Sequence, residues 1–113
     1  MSSPEPQTVV HRLMEVILDR KANPPARSYT AELLRGGVAR ITGKILEEAE
    51  EVVEAAAEPG SSGRQHLVGE VADLIYHLLV LLAAVDAHWR DVEQVLSQRF
   101  GISGLDEKES RGR

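Results

Sequence analysis

Lys44-Ile45-Leu46-Glu47-Glu48-Ala49-Glu50-Glu51 and, further along, Glu70-Val71-Ala72-Asp73-Leu74-Ile75-Tyr76-His77 are the segments that decide the fold of this chain. Residues three apart on a helix lie about one turn from each other on the same side. Glu48 with Glu51, and Glu70 with Asp73, can therefore each present two carboxylates in one direction. Two such helices side by side make an oxygen-rich cage suited to a hard divalent cation. Stepping ~100° per residue places Val38, Ile41, Ile45, Ala49, Val52, Val53 and Ala56 within one arc, the expected core face. Glu48 falls about 20° beyond Ile41 at the edge of that arc, and Glu51 lies about 60° further out, on the same steps. Glu47, Glu54 and Glu50 turn progressively to water. Glu47 ranks behind Glu48 and Glu51 as a candidate for the site.

The second segment carries the sharper anomaly. Leu67 to Val85 is apolar nearly all round, the pattern of a helix buried in a core, yet it contains Glu70, Asp73 and His77. Acidic side chains are almost never fully buried unless paired. Two carboxylates about 5 Å apart repel by roughly 3 kcal/mol at an effective dielectric near 20. Four together would consume much of a typical ~5–15 kcal/mol stability. Lys44 is the only basic residue between Ile41 and Glu58, and one ammonium does not balance four carboxylates. Bound Mg²⁺, or Mn²⁺ in its place, does.

Composition narrows the class. The chain has 113 residues, the size of one domain. Its formal net charge is −5, which argues against a general binder of nucleic acid or of membrane surfaces. With no cysteine there is no disulfide framework or thiolate chemistry. Met1-Ser-Ser-Pro-Glu-Pro-Gln7 shows neither a basic nor an apolar leader segment. The apolar run Leu74 to Val85 is about 12 residues, against the ~20 of a membrane span. A soluble cytoplasmic protein is the expectation.

The rest of the chain reads as helix. Residues 1–6, with two prolines, are expected to be disordered, 7–100 to form the domain, and 101–113 a polar tail. An amphipathic helix is predicted from Gln7 to about Lys21, stopped by Asn23-Pro24-Pro25. Ser28 is a predicted N-cap for a short helix Tyr29 to Arg35, and Gly36-Gly37 breaks the chain before the acidic helix, about Val38 to Ala57. Pro59-Gly60-Ser61-Ser62-Gly63 is a predicted loop. The apolar helix is placed at about Arg64 to Ala87 and a last one at Asp91 to Phe100, with Gly101 as its stop. The two long helices, joined by a short loop, should be antiparallel neighbours. The apolar helix needs partners on every side, so a second copy of the chain is expected to complete the core.

At this point the residues resemble a known family. Glu47, Glu48 and Glu51 followed by Glu70 and Asp73 look like the metal signature, EExxE then ExxD, of the all-α MazG-like nucleotide pyrophosphohydrolases. Within that superfamily the chain resembles the phosphoribosyl-ATP pyrophosphohydrolases. Ser28-Tyr29-Thr30 with Leu33-Leu34 and Gly36, Lys44, Ala72-Asp73-Leu74-Ile75-Tyr76-His77-Leu78-Leu79-Val80-Leu81-Leu82 and Gly101-Ile-Ser-Gly-Leu-Asp-Glu-Lys108 carry the likeness. Two departures are Leu46, where the family commonly has a small residue, and the extra Glu50. The resemblance implies a helical bundle of four to five helices completed by homodimerisation. It implies Mg²⁺-dependent hydrolysis of phosphoribosyl-ATP to phosphoribosyl-AMP and pyrophosphate, the second step of histidine biosynthesis. Glu48, Glu51, Glu70 and Asp73 would then hold the metal, Glu47 would take a proton from water, and Lys44 would contact phosphate or a ligand glutamate.

Plainer readings stand beside these. A glutamate run is usually a solvated helix face, and Lys44 could simply pair with Glu48 at i,i+4. His77 is more often a hydrogen-bonded core histidine than a ligand, and Tyr76 a core or dimer contact. The alternatives to the phosphoribosyl-ATP reading are a general (deoxy)nucleoside triphosphate pyrophosphohydrolase and a non-catalytic helical dimerisation module. An adaptor has no reason to keep acid at Glu70 and Asp73.

Overall fold

A computed structural model of the chain describes residues 8–101; the expectations for residues 1–6 and for the tail beyond Gly101 lie outside them. Among the described residues there are five helices and no strand: α1 Val9–Ala22, α2 Tyr29–Gly36, α3 Val38–Ala56, α4 Gly60–Ala84 and α5 Trp89–Phe100. The helix ends follow the local chemistry. Thr8 and Ser28 cap α1 and α2 by accepting from the backbone N–H groups of His11 and Ala31. Gly37 joins α2 to α3 at φ 85°, ψ 177°, a conformation that side-chain-bearing residues rarely adopt. His88 begins α5 with a capping box: its Nδ1 accepts from Arg90 N–H, and Asp91 accepts from His88 N–H. The expected break near His88 is thus a cap, and α5 starts at Trp89 rather than Asp91. Gly101, in the left-handed region, closes it.

The predicted loop Pro59–Gly63 is corrected. Helix α4 begins at Gly60, and only Ala57, Glu58 and Pro59 separate it from α3. Composition favoured a loop, but close packing of the turn favours helix. A Cβ at Gly63 would collide with the backbone carbonyl of Glu58, so the missing side chain lets the turn lie against the first turns of α4. The early start makes α4 25 residues long, and by length and composition alone it could cross a membrane.

The principal pair is α3 with α4; α1 packs against α4, and α2 bridges α3 and α1. Met14 and Ile17 of α1, Leu33 of α2, Ile41 of α3 and Leu79, Val80 and Ala83 of α4 form the closed core. Lys21 fastens α1 to the end of α4 by donating to the Ala83 carbonyl and the Asp86 carboxylate, each at 2.7 Å. That ammonium holds the Asp86 carboxyl below its ordinary value. Helix α5 contributes no buried residue, and His11 of α1 contacts its Glu93 at 2.6 Å.

One expectation about faces is also corrected. Ile41, Ile45, Glu48, Val52 and Ala55 of α3 are buried or half-buried and alternate four and three apart, with Thr42, Gly43, Lys44 and Ala49 half-buried beside them. On α4 the same rhythm runs through Gly63, Leu67, Glu70, Leu74 and His77, with Ile75, Tyr76 and residues 79–84 also buried or half-buried. This is the seam of two closely packed antiparallel helices. The expected core arc of α3 was rotated away from it: Val38 and Val53 are 46% and 70% exposed, Ala56 is exposed, and Ala55 is buried instead. As expected for a single chain, α4 is not covered all round. Val68 and Val85 are more than half exposed, and Val71 and Leu78 more than a third. One chain supplies α4 with neighbours on the α1 and α3 sides, and the outer face stays bare.

Candidate metal centre

The seam explains the site. Glu48 sits between Ile45 and Val52 on α3, and Glu70 between Leu67 and Leu74 on α4, at positions that an apolar helix pair would fill with aliphatic side chains. One oxygen of each, Glu48 Oε2 and Glu70 Oε2, is buried without a hydrogen-bond partner. Glu51, one turn beyond Glu48, brings a third carboxylate, and one oxygen from each of the three lies within 4.8 Å of the others. Among the described residues no lysine or arginine is ion-paired with any of the three. Buried polar groups without partners are rare and costly.

The electrostatics register this crowding. Burial, then the neighbouring charges of Glu51 and Asp73, raise the Glu48 carboxyl above its ordinary value of 4.5. The Glu51 carboxyl is raised as well, chiefly by a hydrogen bond shared with Glu70 and by the charge of Glu70. Carboxylates crowded in this way offer several oxygens to a cation. An all-oxygen, partly buried donor set with two unpartnered oxygens fits a hard divalent ion.

The other candidates from the sequence distribute differently. Asp73 is exposed and is not part of the three-carboxylate cluster, although it is near enough to Glu48 to raise that carboxyl. Lys44 lies 3.7 Å from Glu47 and is ion-paired with it rather than with Glu48. His77 is buried, and its partners orient its ring. The Asp73 carbonyl can only accept, so His77 Nδ1 donates to it at 2.9 Å, leaving Nε2 to accept from Tyr29 O–H at 3.2 Å. Both ring nitrogens are satisfied by protein, so His77 is a core histidine, not a ligand. Tyr76 stacks on Tyr29 with ring centroids 6.3 Å apart and hydrogen-bonds Thr30, which ties α2 to α4 beside the cluster. Burial raises the Tyr76 hydroxyl above its ordinary value.

His66 escaped the sequence reading. Its Nδ1 is 2.9 Å from Glu58 Oε2 and its Nε2 is 3.4 Å from Glu70 Oε1. The hydrogen bond to Glu58 is the first cause of an imidazole raised above its ordinary value. The i,i+4 spacing of His66 and Glu70 was the available signal.

The family model described as phosphoribosyl-ATP pyrophosphohydrolase matches residues 10–100. The chain is 47% identical over 108 residues to the phosphoribosyl-ATP pyrophosphatase of Rhodopirellula baltica, covering 96% of this chain and 90% of that protein. It is 48% identical to the phosphoribosyl-ATP pyrophosphatase of Paracoccus denitrificans over 98% of this chain and 99% of the relative. With that of Geotalea daltonii it shares 45% identity over 93% of this chain and 96% of the relative.

Proposed function

The chain belongs to the phosphoribosyl-ATP pyrophosphohydrolase family, and we propose that it hydrolyses phosphoribosyl-ATP to phosphoribosyl-AMP and pyrophosphate, the second step of histidine biosynthesis. The observation that carries the chemistry is the trio Glu48, Glu51 and Glu70, with two buried unpartnered oxygens in an otherwise aliphatic seam. These three residues, with Asp73 at their edge, are the proposed holders of Mg²⁺, for which Mn²⁺ would substitute. The ion, when bound, supplies positive charge that draws in a polyphosphate, polarises the scissile anhydride and offsets charge on the leaving pyrophosphate.

The chain's own groups do the rest. Glu47 lies next to the cluster without belonging to it, and its exposed carboxylate is the proposed acceptor of the attacking water's proton. Lys44 neutralises Glu47 in the absence of substrate and is within reach of a phosphate oxygen once substrate displaces that 3.7 Å contact. Tyr29, Thr30, Tyr76 and His77 brace α2 against α4 beside the cluster, holding the carboxylates of α4 in place.

The bare apolar face of α4, with Leu46 and Val53 of α3 also about 70% exposed, supports a homodimer in which a second copy covers it. We read α4 as the central helix of a soluble cytoplasmic enzyme. Glu70 and Asp73 in mid-helix would be costly in lipid, and the net charge of −5 gives no footing to nucleic acid. The decisive experiment is pyrophosphate release by the purified protein with Mg²⁺, offered phosphoribosyl-ATP and a panel of nucleoside triphosphates. Turnover confined to phosphoribosyl-ATP is expected. Equal or faster turnover of ordinary nucleoside triphosphates would replace this reading with that of a general nucleotide pyrophosphohydrolase.

A further inference from the structure

The two oxygens of Glu70 have different surroundings. Oε2 is buried in the cluster without a partner, while Oε1 lies 3.4 Å from His66 Nε2. A glutamate facing two other carboxylates is pushed outward by their charge, and its flexible side chain offers little resistance. Something must hold it inward. His66, one turn earlier on α4, is placed to do so, but at 46% side-chain exposure it is not itself fixed by packing. It is fixed from its far side, where Nδ1 is hydrogen-bonded to Glu58 Oε2 at 2.9 Å.

Glu58 in turn belongs to the short turn between α3 and α4. Its backbone N–H donates to the Ala55 carbonyl at 3.1 Å. Its own carbonyl rests against Gly63, where any side chain would push it away. Glu58, His66 and Glu70 therefore form a continuous line from the turn to the carboxylate cluster.

We propose that His66 is a positioning residue for the metal centre: held by Glu58, it sets the side chain of Glu70 so that Oε2 faces Glu48 and Glu51. This rests on the reading of the three carboxylates as a metal site. Groups that orient a metal ligand commonly govern affinity by about 10–100-fold, and His66 acts through Glu70 rather than on substrate. The Glu58–His66 contact makes the turn part of the site, although neither residue is in the acidic signature.

The test is the Mn²⁺ dissociation constant of the full chain, measured from the electron paramagnetic resonance signal of free Mn²⁺, with urea midpoints in chelator as a folding measure. His66→Ala should raise the constant about tenfold or more while the chelated protein still unfolds in one cooperative transition. His66→Gln, whose amide N–H can still reach Glu70, should recover most of the affinity. Glu58→Ala should weaken binding several-fold on its own and add nothing to His66→Ala, because both cut the same line. Glu70→Gln is the reference. If it weakens Mn²⁺ binding and His66→Ala does not, the metal site stands and the positioning role is overturned. Additive losses in the double variant would also overturn it, since Glu58 would then act independently of His66. If Glu70→Gln binds Mn²⁺ as the unaltered protein does, the metal-site reading itself fails and the positioning role with it.

Discussion

Replacing Glu48 by Gln tests the site without disturbing the seam's shape. The cluster oxygens lie within 4.8 Å of one another. At that distance a pair of ionised carboxylates repels by about 3.5 kcal/mol at an effective dielectric of 20, and by about 0.9 kcal/mol in bulk water. Glu51 is exposed and screened by water, so only the half-buried Glu48–Glu70 pair is counted, and it lies between the two figures. Removing the Glu48–Glu70 repulsion leaves a gain of about 2 kcal/mol for the metal-free protein at pH 8. A chain of 113 residues has an unfolding entropy that converts this to about 8 °C in Tm. The metal-bound comparison runs the other way. Mn²⁺ at a hundred times its dissociation constant stabilises the native protein by about 2.7 kcal/mol, or roughly 11 °C. Glu48→Gln, with one anionic oxygen fewer, should keep less than about a third of that rise. The assay is thermal unfolding by circular dichroism in chelator and in Mn²⁺, at one fixed protein concentration because association also shifts Tm. A variant no more stable than the unaltered protein in chelator, and equally stabilised by Mn²⁺, would refute both the repulsion and the metal.

In turnover, Glu48→Gln should lower pyrophosphate release at least a hundredfold, about 3 kcal/mol in barrier, whereas Glu54→Gln, outside the seam, should stay near the unaltered rate; equal loss in both would show that the helical phasing is wrong. In chelator the protein should lose stability as pH rises from about 4.5. Glu48 and Glu51 are raised above 4.5 and His66 above 6.5 in the folded state, so the native form holds their protons more tightly and gives up that advantage as each deprotonates. Urea midpoints between pH 4.5 and 8 measure this, and a slope that Glu48→Gln leaves unchanged would count against it. Leu79→Ala, at a fully buried core position, should cost about 2–5 kcal/mol, read from denaturant midpoints; a cost below about 1 kcal/mol would mean that the core packs differently.

The order and type of all five helices could be read from apolar spacing, Pro24-Pro25, Gly36-Gly37 and Ser28, because those signals are local. The turn after α3 could not. Pro59-Gly60-Ser61-Ser62-Gly63 has the composition of a loop, and its helical state goes with the close approach of the Glu58 carbonyl to Gly63, a contact in space that composition does not display. The phase of α3 was misjudged for a related reason. Averaging hydrophobicity around the helix counts Val38 and Val53 as core, yet both face outward in the single chain.

That misphasing hid how deeply the acids are set. With the arc placed on Val53, Glu48 appeared at the margin of the core; in the four-three rhythm of Ile41, Ile45, Glu48, Val52 and Ala55 it is one of the seam residues itself. Glu70 holds the matching place on α4. A helix pair selected only for stability would carry leucine or alanine at both positions, and a pair selected to associate with a partner would put its acids on the rim. Local rules broken at two facing positions, against an otherwise consistent pattern, mark a site that is maintained at the expense of stability. The two unpartnered oxygens in the seam are the structural form of that expense, and a divalent cation is the ligand that offsets both at once.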